Sequence, residues 1–582
     1  MKKKIVWIFL ISATAVTPYA CKKGFLEVSP QGVLDEATLS SEKGINKLLI
    51  AAYAMLDSYD GALNIGGQWG SGGSNFVFGS MAGGEANRGS TPGDQGPNMT
   101  PAIRRESSPN NQAYNDRWIA LYEGIKRCNT VLELLTKTPS IGDAARKSLS
   151  GQAKALRAWY HFQARITFGK VCYMDEQTDL DLATGAISGV TNEKDIFPQI
   201  VADAKYAYEN IPASLDAKGR INKWCAGAIY GKVLMFTKDY ATAKTVLQDV
   251  VNNGTTALGV KYGLNTNYED NFNIATENSK ESVFAFQSSS NDGGGARNGN
   301  WGDNLNTPAA PGIGGAGFFC PTYYFVNQFK TGANGLPLAN PQDKSVLDPV
   351  GTDPANGGMP GYTQYSGNVD TRLDWTVGRN GVPFLDWGTA QTGWQRDASA
   401  GPFLGKKVMI RQSQTANYHD ASVWFSSGGT ALNVNLIRFS DVILLLAEAE
   451  IESQGGSLAN AFALINQVRT RAQNSTIVTF PATYGVPSTK PYTTPFASQA
   501  EARTAVRLER LLELGMEGQR LFDLVRWGTA ASELNAFYAY EVALKYQQNG
   551  DLTPKPTYTA PAGDYISIPQ QQIDLSNGFI KP

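Results

Sequence analysis

The sequence predicts a mainly α-helical protein, in which stacked helical hairpins carry an irregular, loop-rich lobe. Several segments repeat apolar residues at helical spacing and are joined in pairs by short turns. Two long stretches, residues 61–111 and 291–428, are instead rich in Gly, Asn, Pro, Ser and aromatic residues and show no helical period. With 582 residues, 42% of them hydrophobic, the chain can bury a large core beneath both parts.

The first twenty residues have the three parts of a secretion signal. Three lysines precede an apolar stretch over residues 5–16, and small residues then lead to Cys21. A cysteine directly after a cleavage point is typical of bacterial lipoproteins, so we expect residues 1–20 to be removed and Cys21 to be lipidated. Each buried methylene of an acyl chain contributes about 0.8 kcal/mol to membrane binding. Pro18 stands where most lipoproteins have Leu, which leaves open ordinary cleavage with an unmodified cysteine.

Composition argues against two kinds of partner. The chain has 51 Lys and Arg against 52 Asp and Glu, so no overall field attracts nucleic acid, and we expect none to bind. The cysteines beyond the first form no CxxC pair and none lies near a histidine, which argues against a zinc site. They are Cys128, Cys172, Cys225 and Cys320. We expect the thiols of Cys128 and Cys225, which fall among apolar residues in helical patterns, to be core groups.

The helical pattern is clearest in two neighbouring segments near the C-terminus. The run 440–453 is apolar on all sides at its centre, whereas 457–473 shows a single apolar stripe. A Gly-Gly pair ends the first segment and Ser457 supplies an N-cap for the second, so the two form a hairpin. The same pattern predicts hairpins at 112–135 with 143–168 and at 222–236 with 240–252, and further helices at 498–514 and 518–527.

Each hairpin takes up a little more than thirty residues, close to the period of tetratricopeptide repeats, although the tetratricopeptide consensus is absent. We therefore predict a tetratricopeptide-like stack of about four hairpins. The chain then divides into a signal peptide at 1–20, a tether at 21–40, hairpins at 41–275 with a loop insertion at 61–111, a loop-rich ligand-binding insertion at 276–435, C-terminal hairpins at 436–530 and an extension at 531–582.

The motifs of common enzyme classes are missing from the sequence. It has only two histidines and contains no HExxH, GxSxG or phosphate-binding GxxxxGKS/T motif. The stretch 312–317 spells GxGxxG, but prolines precede it where a dinucleotide site needs a strand. Asp374, Asp386 and Asp397 leave a glycosidase open as an alternative, because such enzymes need only two carboxylates at the right separation. We expect no catalytic residue, no cofactor and no metal.

One stretch near the C-terminus is long and hard to match by chance. Residues 507–528 read RLERLLELGMEGQRLFDLVRWG, which resembles, almost residue for residue, the C-terminal signature of the SusD/RagB family. The same family ordering appears at 153–160 (AKALRAWY), 436–449 (LIRFSDVILLLAEA) and 465–471 (INQVRTR). On these residues the chain is identified as a member of the SusD/RagB family, and the resemblance is weakest across the two loop-rich stretches.

The resemblance implies a right-handed stack of helical hairpins with a less regular lobe. It implies a lipid-anchored protein of the outer membrane that faces the cell exterior. It also implies a partner, a SusC-like TonB-dependent barrel over which the protein sits as a hinged lid, and a role in nutrient capture without catalysis. The usual ligands of the family are oligosaccharides, and some members bind peptides.

The charged residues of the signature could be mistaken for a catalytic cluster. Their spacings of three and four place opposite charges side by side on helices, so we expect them to tie the last hairpin to the stack. They are Glu509, Arg510, Glu513, Glu517, Arg520, Asp523 and Arg526. We expect Arg157 and Arg438 to have a similar structural role.

Sugar rings bind to proteins through two kinds of contact. A pyranose packs its C–H face on an aromatic ring, while its hydroxyls exchange hydrogen bonds with polar side chains. In relatives the binding surface comes from a loop in the first third of the chain and from the region after the central helices. The resemblance thus points to Trp69, Phe78 and Trp301 for stacking, with Asn75 and Asp94 as polar partners.

Other interpretations of these rings and of the whole protein remain open. A tryptophan in a Gly-rich loop often only packs that loop onto the scaffold, as we expect for Trp375 and Trp387. Trp394, beside Arg396, is an intermediate case. For the protein, the alternatives are a peptide-binding lipoprotein of the same fold and a helical-repeat scaffold that binds only other proteins. The many rings in the loops favour sugars over both.

Overall fold

The computed structural model describes residues 39–57, 65–178, 190–295, 297–342, 352–353, 359–360, 365–391, 393–423, 428–544 and 550–582. The expected signal peptide, Cys21 and nearly all of the tether lie outside the described residues. Within them α-helices predominate and strands are short, so the prediction of a mainly α fold is confirmed.

Most of the long helices form one continuous stack. The α-helices in chain order are α1 (Glu42–Ala54), α2 (Gln68–Ser71), α3 (Gly96–Arg104), α4 (Gln112–Lys137), α5 (Asp143–Phe168), α6 (Phe197–Asn210), α7 (Lys223–Thr237), α8 (Tyr240–Asn253), α9 (Tyr323–Asn327), α10 (Leu373–Thr376), α11 (Thr415–Tyr418), α12 (Phe439–Glu452), α13 (Leu458–Asn474), α14 (Gln499–Leu514), α15 (Arg520–Trp527), α16 (Ala530–Ala543) and α17 (Gln570–Leu575). Helices α1, α4, α5, α6, α7, α8 and α12 pack in that order, each on the next, and α13 and α14 pack on α12.

Local sequence signals explain where these helices begin. Side chains of Asn111, Asn222, Ser457 and Ser498 each accept a hydrogen bond from a backbone N–H of the following helix, at 2.9–3.2 Å. The helices predicted from periodicity all appear, with ends within two residues of the expected ones. Helices α1, α6 and α16 were not predicted from periodicity, and neither was α3, which lies inside a stretch expected to be loop.

Helix α7 is buried on every side because it lies between α6 and α8 and also contacts α5 and α12. Two glycines on α7 allow the close approach of its neighbour α8. A Cβ atom at Gly231 would lie 2.5 Å from the Leu247 side chain, and one at Gly227 would lie 2.8 Å from Val250. Small residues therefore set the spacing at the centre of the stack.

The remaining residues form an irregular lobe with short paired strands. The strands are β1 (Ala86–Gly89), β2 (Ser282–Phe286), β3 (Phe318–Pro321), β4 (Thr352–Asp353), β5 (Met359–Pro360), β6 (Asn368–Val369), β7 (Val377–Gly378), β8 (Leu404–Gly405), β9 (Val434–Arg438) and β10 (Val486–Pro487). Strands pair antiparallel as β1–β3, β2–β9, β4–β5 and β7–β8, and β6 pairs parallel with β10.

The lobe has a small apolar core of its own. It contains Phe384, Leu404 and Met409, and the half-buried rings of Trp387 and Trp394 pack against it. The indole N–H of Trp387 donates to the Ile410 carbonyl at 2.9 Å, while that of Trp375 donates to Thr476 at 2.7 Å. In the described residues these rings hold loops in place, as expected for Trp375 and Trp387.

Buried ion pairs join the C-terminal helices to the stack and to the lobe. On α14, Glu513 accepts hydrogen bonds from three arginines of other elements, Arg372, Arg438 and Arg471. Arg510 donates to Asp441 of α12 at 2.7 Å and to Asp523 of α15 at 2.8 Å, while Arg526 pairs with Glu448. The structural role expected for the charged signature is thus confirmed for Arg510, Glu513 and Arg526.

Arg520 differs from the other charged residues of the signature. It pairs with Glu533 at 3.2 Å, and the Glu533 side chain is 40% exposed. Exposed pairs contribute little to stability. Arg157, by contrast, is buried as expected and donates to Asp203 from two nitrogens at 2.7 and 2.9 Å.

All four cysteines of the described residues are buried and free, including Cys128 and Cys225 as expected. None of the helices in the described part of the chain combines the length and apolar character that crossing a membrane requires.

Candidate functional site

The two loops singled out by the sequence lie side by side in the structure. A Cβ atom on Gly302 would lie 2.6 Å from the Cα of Gly72, so the two backbones touch. The Ser74 hydroxyl donates to the Asp303 carboxylate at 2.8 Å across the same junction. The structure therefore brings together the loop of Trp69 and the loop of Trp301.

Trp69 is half-buried at this junction. Its ring lies on Phe318 of β3, with 4.5 Å between ring centroids and 49° between the planes. Helix α2, which carries Trp69, sits close to α4, because a Cβ atom at Gly70 would lie 2.3 Å from the Ala113 carbonyl oxygen. The position of the ring is thus set by glycine-mediated packing beneath it, and part of its surface remains open to solvent.

Trp301 is also half-buried, and it opens a tight turn. The Asn304 N–H donates to the Trp301 carbonyl at 3.2 Å. Two residues on, Asp303 is buried and takes hydrogen bonds from Ser74 and from the Asn306 amide at 2.9 Å. Burial raises the pKa of Asp303, although these hydrogen bonds oppose the shift. The turn that presents Trp301 is thus cross-linked to the loop of Trp69.

The structure corrects the expectation for Asn75 and Phe78, which lie inside the protein. Phe78 is only 2% exposed and belongs to a buried turn of π-helix, where its ring packs against Tyr114 and Arg117. The Asn75 amide donates to Gln163 at 2.8 Å and accepts from Arg117 at 2.5 Å. In this conformation neither side chain has a surface free for a ligand, because α4 packs on Phe78 and both α4 and α5 bind Asn75.

Asp94 is half-buried and stabilises its own turn. Its carboxylate accepts a hydrogen bond from Ser90 at 2.8 Å, and its carbonyl accepts one from Arg88, which pairs with Asp551 at 3.2 Å. The turn follows β1, in which Gly89 pairs with Phe318, the residue that the Trp69 ring contacts. We therefore place Asp94 at the periphery of the junction between the tryptophan loops.

A cavity that the sequence analysis missed lies beside the junction. It has a volume of about 510 Å³ and is enclosed by the end of α1, residues 218–220, the end of β2 and residues 297–298. A Cβ atom at Gly73, in the loop of Trp69, would lie 2.6 Å from the Leu56 carbonyl oxygen at the edge of this cavity. The cavity residue Asn298 is three positions before Trp301. Its lining residues are scattered along the chain, so no sequence motif could have indicated it.

Two further hollows lie away from the tryptophan loops. One, of about 630 Å³, lies among α5, α6, α7 and α15 and includes Phe236 and Tyr565. The other, of about 840 Å³, runs along α14 and α15 and includes Tyr492, Phe496 and Trp527. Neither contains any of the five ligand-binding residues expected from the sequence.

The three carboxylates that made a glycosidase an alternative each form hydrogen bonds within the protein. Asp374 is buried against Arg379, with two contacts of 2.8 Å, and Asp386 accepts from the hydroxyl and N–H of Ser413. Asp397 accepts from Ser399 within its own turn. Among the described residues no group of three or more His, Cys, Asp or Glu could hold a metal ion. These contacts give the three carboxylates structural roles.

Comparisons with known proteins agree with this architecture. A family model described as "SusD family" matches residues 280–581, and one described as "Starch-binding associating with outer membrane" matches residues 24–235. A SusD-like protein of Formosa agariphila is 23% identical over 552 residues, covering 90% of this chain and 89% of that protein. A SusD-like protein of Bacteroides ovatus is 26% identical over 300 residues, about half of each chain.

Solved structures of the same fold include glycan-binding proteins. A SusD superfamily protein from Bacteroides vulgatus superimposes with a TM-score of 0.66 at 18% identity, covering 93% of this chain and 98% of that one. Surface glycan-binding protein A from Bacteroides thetaiotaomicron, solved with laminarihexaose, gives a TM-score of 0.63 at 21% identity over the same shares. At these identities the likeness shows the fold.

Proposed function

The chain belongs to the SusD family, and on that premise we propose that it captures oligosaccharides at the cell surface and passes them to a SusC-like, TonB-dependent barrel in the outer membrane. Lipidated Cys21 would anchor it there, facing the cell exterior. The proposal includes no catalytic step. A peptide-binding role for the same fold is the alternative.

One observation carries the proposal of a glycan ligand. Trp69 and Trp301 are both half-buried, so each residue is partly covered by the scaffold and keeps some accessible surface. They lie on loops that touch through Gly72 and Gly302. Half-exposed aromatic rings on a rigid support suit the C–H faces of pyranose units, and holding them in place beforehand lowers the entropy cost of binding.

The test is to remove each ring and measure glycan affinity. A glycan retained by the parent protein in affinity electrophoresis would be titrated calorimetrically into Trp69→Ala and Trp301→Ala. We expect each variant to lose about 1 to 3 kcal/mol of binding free energy, as for truncation of a buried aromatic anchor.

Trp387→Ala is the matched control, because this half-buried tryptophan packs on the core of the lobe. It should lower the melting temperature and leave the affinity of the folded protein unchanged. Parental affinity in both loop variants would exclude these rings from the site. Retention of peptides but of no polysaccharide would favour the peptide-binding alternative.

A further inference from the structure

The cavity beside the tryptophan loops carries an excess of positive charge. Four cationic side chains line it, against the single carboxylate of Asp57. The cations are Arg127, Lys218, Arg220 and Arg297. They come from three separate parts of the chain, residue 127 on α4, the loop before α7 and the loop before Trp301. One of them, Arg127, is already balanced by Glu123, to which it donates at 2.9 Å.

Arg220 is the most constrained of these cations. Its guanidinium lies 5.3 Å from the centroid of the Tyr53 ring, and its Nη2 donates to Asn46 at 3.0 Å. Tyr53 is itself held, because its hydroxyl donates to Gln152 at 2.9 Å and accepts from the Ile221 N–H at 2.8 Å. The guanidinium is therefore oriented before any ligand arrives.

Among the described residues, one nitrogen of Arg220 has no hydrogen-bond partner. Its Nη1 is buried and has no hydrogen-bond acceptor within the part of the chain that the structure describes. A buried donor without an acceptor is costly, and a charged one more so. Lys218 and Arg297 are exposed at the same cavity and add positive charge near its opening. A negatively charged group in the cavity would balance the charge of the Arg220 guanidinium together with these two cations.

We infer that this cavity binds an anionic substituent of the glycan, a uronate carboxylate or a sulfate ester. The inference rests on the proposed function, since it assigns the chemical class of the oligosaccharide captured by the adjoining tryptophans. Contact of Gly73 with the Leu56 carbonyl puts the cavity next to the loop of Trp69. A sugar stacked there can direct a charged group into the cavity, where guanidinium and ammonium groups pair with it.

The experiment compares polysaccharides that differ only in charge. Affinity electrophoresis would use polygalacturonate with its carboxyl-reduced form, and a sulfated galactan with its desulfated form, with laminarin as a neutral glucan. We expect retention by a charged member and much weaker retention by its neutralised form. The two pairs separate a carboxylate from a sulfate ligand. Retention should fall as salt rises, because the screening length shortens from about 10 Å at 0.1 M to about 3 Å at 1 M.

Substitutions of the cavity cations test whether the cavity causes the preference for charged glycans. The double variant Lys218→Gln with Arg297→Gln and the single variant Arg220→Gln should each weaken binding of the charged glycan, on the order of fivefold to tenfold. Lys137→Gln with Lys205→Gln is the matched control, because both lysines are more than half exposed on helices away from the cavity. Because Lys218 and Arg297 are exposed, we expect the double variant to keep the parental melting temperature.

The outcomes distinguish this inference from the proposed function. Equal retention by charged and neutralised forms overturns the inference and leaves glycan capture intact. The inference is also overturned if a charged glycan binds both cavity variants as tightly as the parent. Retention by no polysaccharide, charged or neutral, counts against both the inference and the glycan-binding function.

Discussion

Two buried carboxylates, those of Glu85 and Asp441, have pKa shifts in opposite directions because different groups surround them. Burial raises the pKa of Glu85 to about 7, against the hydrogen bonds of Ser80 and the Met516 N–H and the charge of Arg520. Asp441 is equally buried, but Lys232 and Arg510 face it and hold its pKa below the ordinary value. The protonation state of Glu85 therefore changes with pH near neutrality, whereas Asp441 stays ionised there.

Replacing Glu85 with glutamine should stabilise the protein at alkaline pH. The folded state keeps the proton of Glu85 up to about pH 7, whereas the unfolded chain loses it near the ordinary value of about 4.3. The parent thus loses stability as pH rises through this window, and the uncharged variant does not. Glutamine also retains an oxygen to accept the Met516 N–H.

Thermal melts at pH 5 and pH 8 would measure this effect. The advantage of Glu85→Gln over the parent should grow between the two values, while the exposed control Glu193→Gln should show no such change. An advantage that is the same at both pH values would mean that Glu85 is ionised in the folded protein throughout.

At the scale of elements, the C-terminal helices are aligned by charge as well as by apolar packing. Glu513 on α14 binds arginines from α13, β9 and the lobe, and Arg510 connects α14 to α12 and α15. Glu513 is fully buried, and its arginines hold its pKa well below the ordinary range although burial opposes this. Such pairs tolerate few alternative alignments, because a shifted helix would leave a buried charge unpaired.

Glu513→Gln should strongly destabilise the protein. It removes the negative charge shared by Arg372, Arg438 and Arg471, and breaking a buried pair typically costs about 3 to 5 kcal/mol. A clearly lower melting temperature is expected. Glu133→Gln is the control, since it removes an exposed helical pair with Lys137 and should leave the melting temperature nearly unchanged. A parental melting temperature together with lost glycan binding would instead assign Glu513 to the binding site.

At the scale of the whole molecule, we propose that attachment to the outer membrane depends on the lipidation of Cys21. The matched family model that begins at residue 24 is described as associating with the outer membrane. Cys21 lies just before that match and outside the described residues, so its lipidation stays a proposal. A lipid anchor of two or more acyl chains gives stable membrane attachment, whereas one chain alone is marginal.

Cys21→Ser should release the protein from the membrane fraction. Cell fractionation in a strain that lacks the barrel partner would measure this, with Lys23→Gln as a neighbouring control that keeps the acyl acceptor. If Cys21→Ser stays in the membrane fraction as firmly as the parent, the anchor is elsewhere.

The sequence alone determined the helical hairpins and the family. Helix ends follow from patterns of three and four residues and from caps such as Asn222 and Ser457, which act over a single turn. The charged signature was equally informative, because its spacing predicted a structural role that the contacts of Glu513 and Arg510 bear out.

The tertiary structure decided which loop residues are available for binding. Phe78 and Trp69 look alike in the sequence, since both are rings in a Gly-rich stretch. Long-range packing buries Phe78 against α4 and Asn75 against α4 and α5, while it leaves Trp69 half-exposed. The cationic cavity was likewise hidden, because Arg127, Lys218 and Arg297 meet only after the chain folds. Residues close together in the sequence determine where a helix begins and ends. The burial of a loop side chain depends instead on long-range packing.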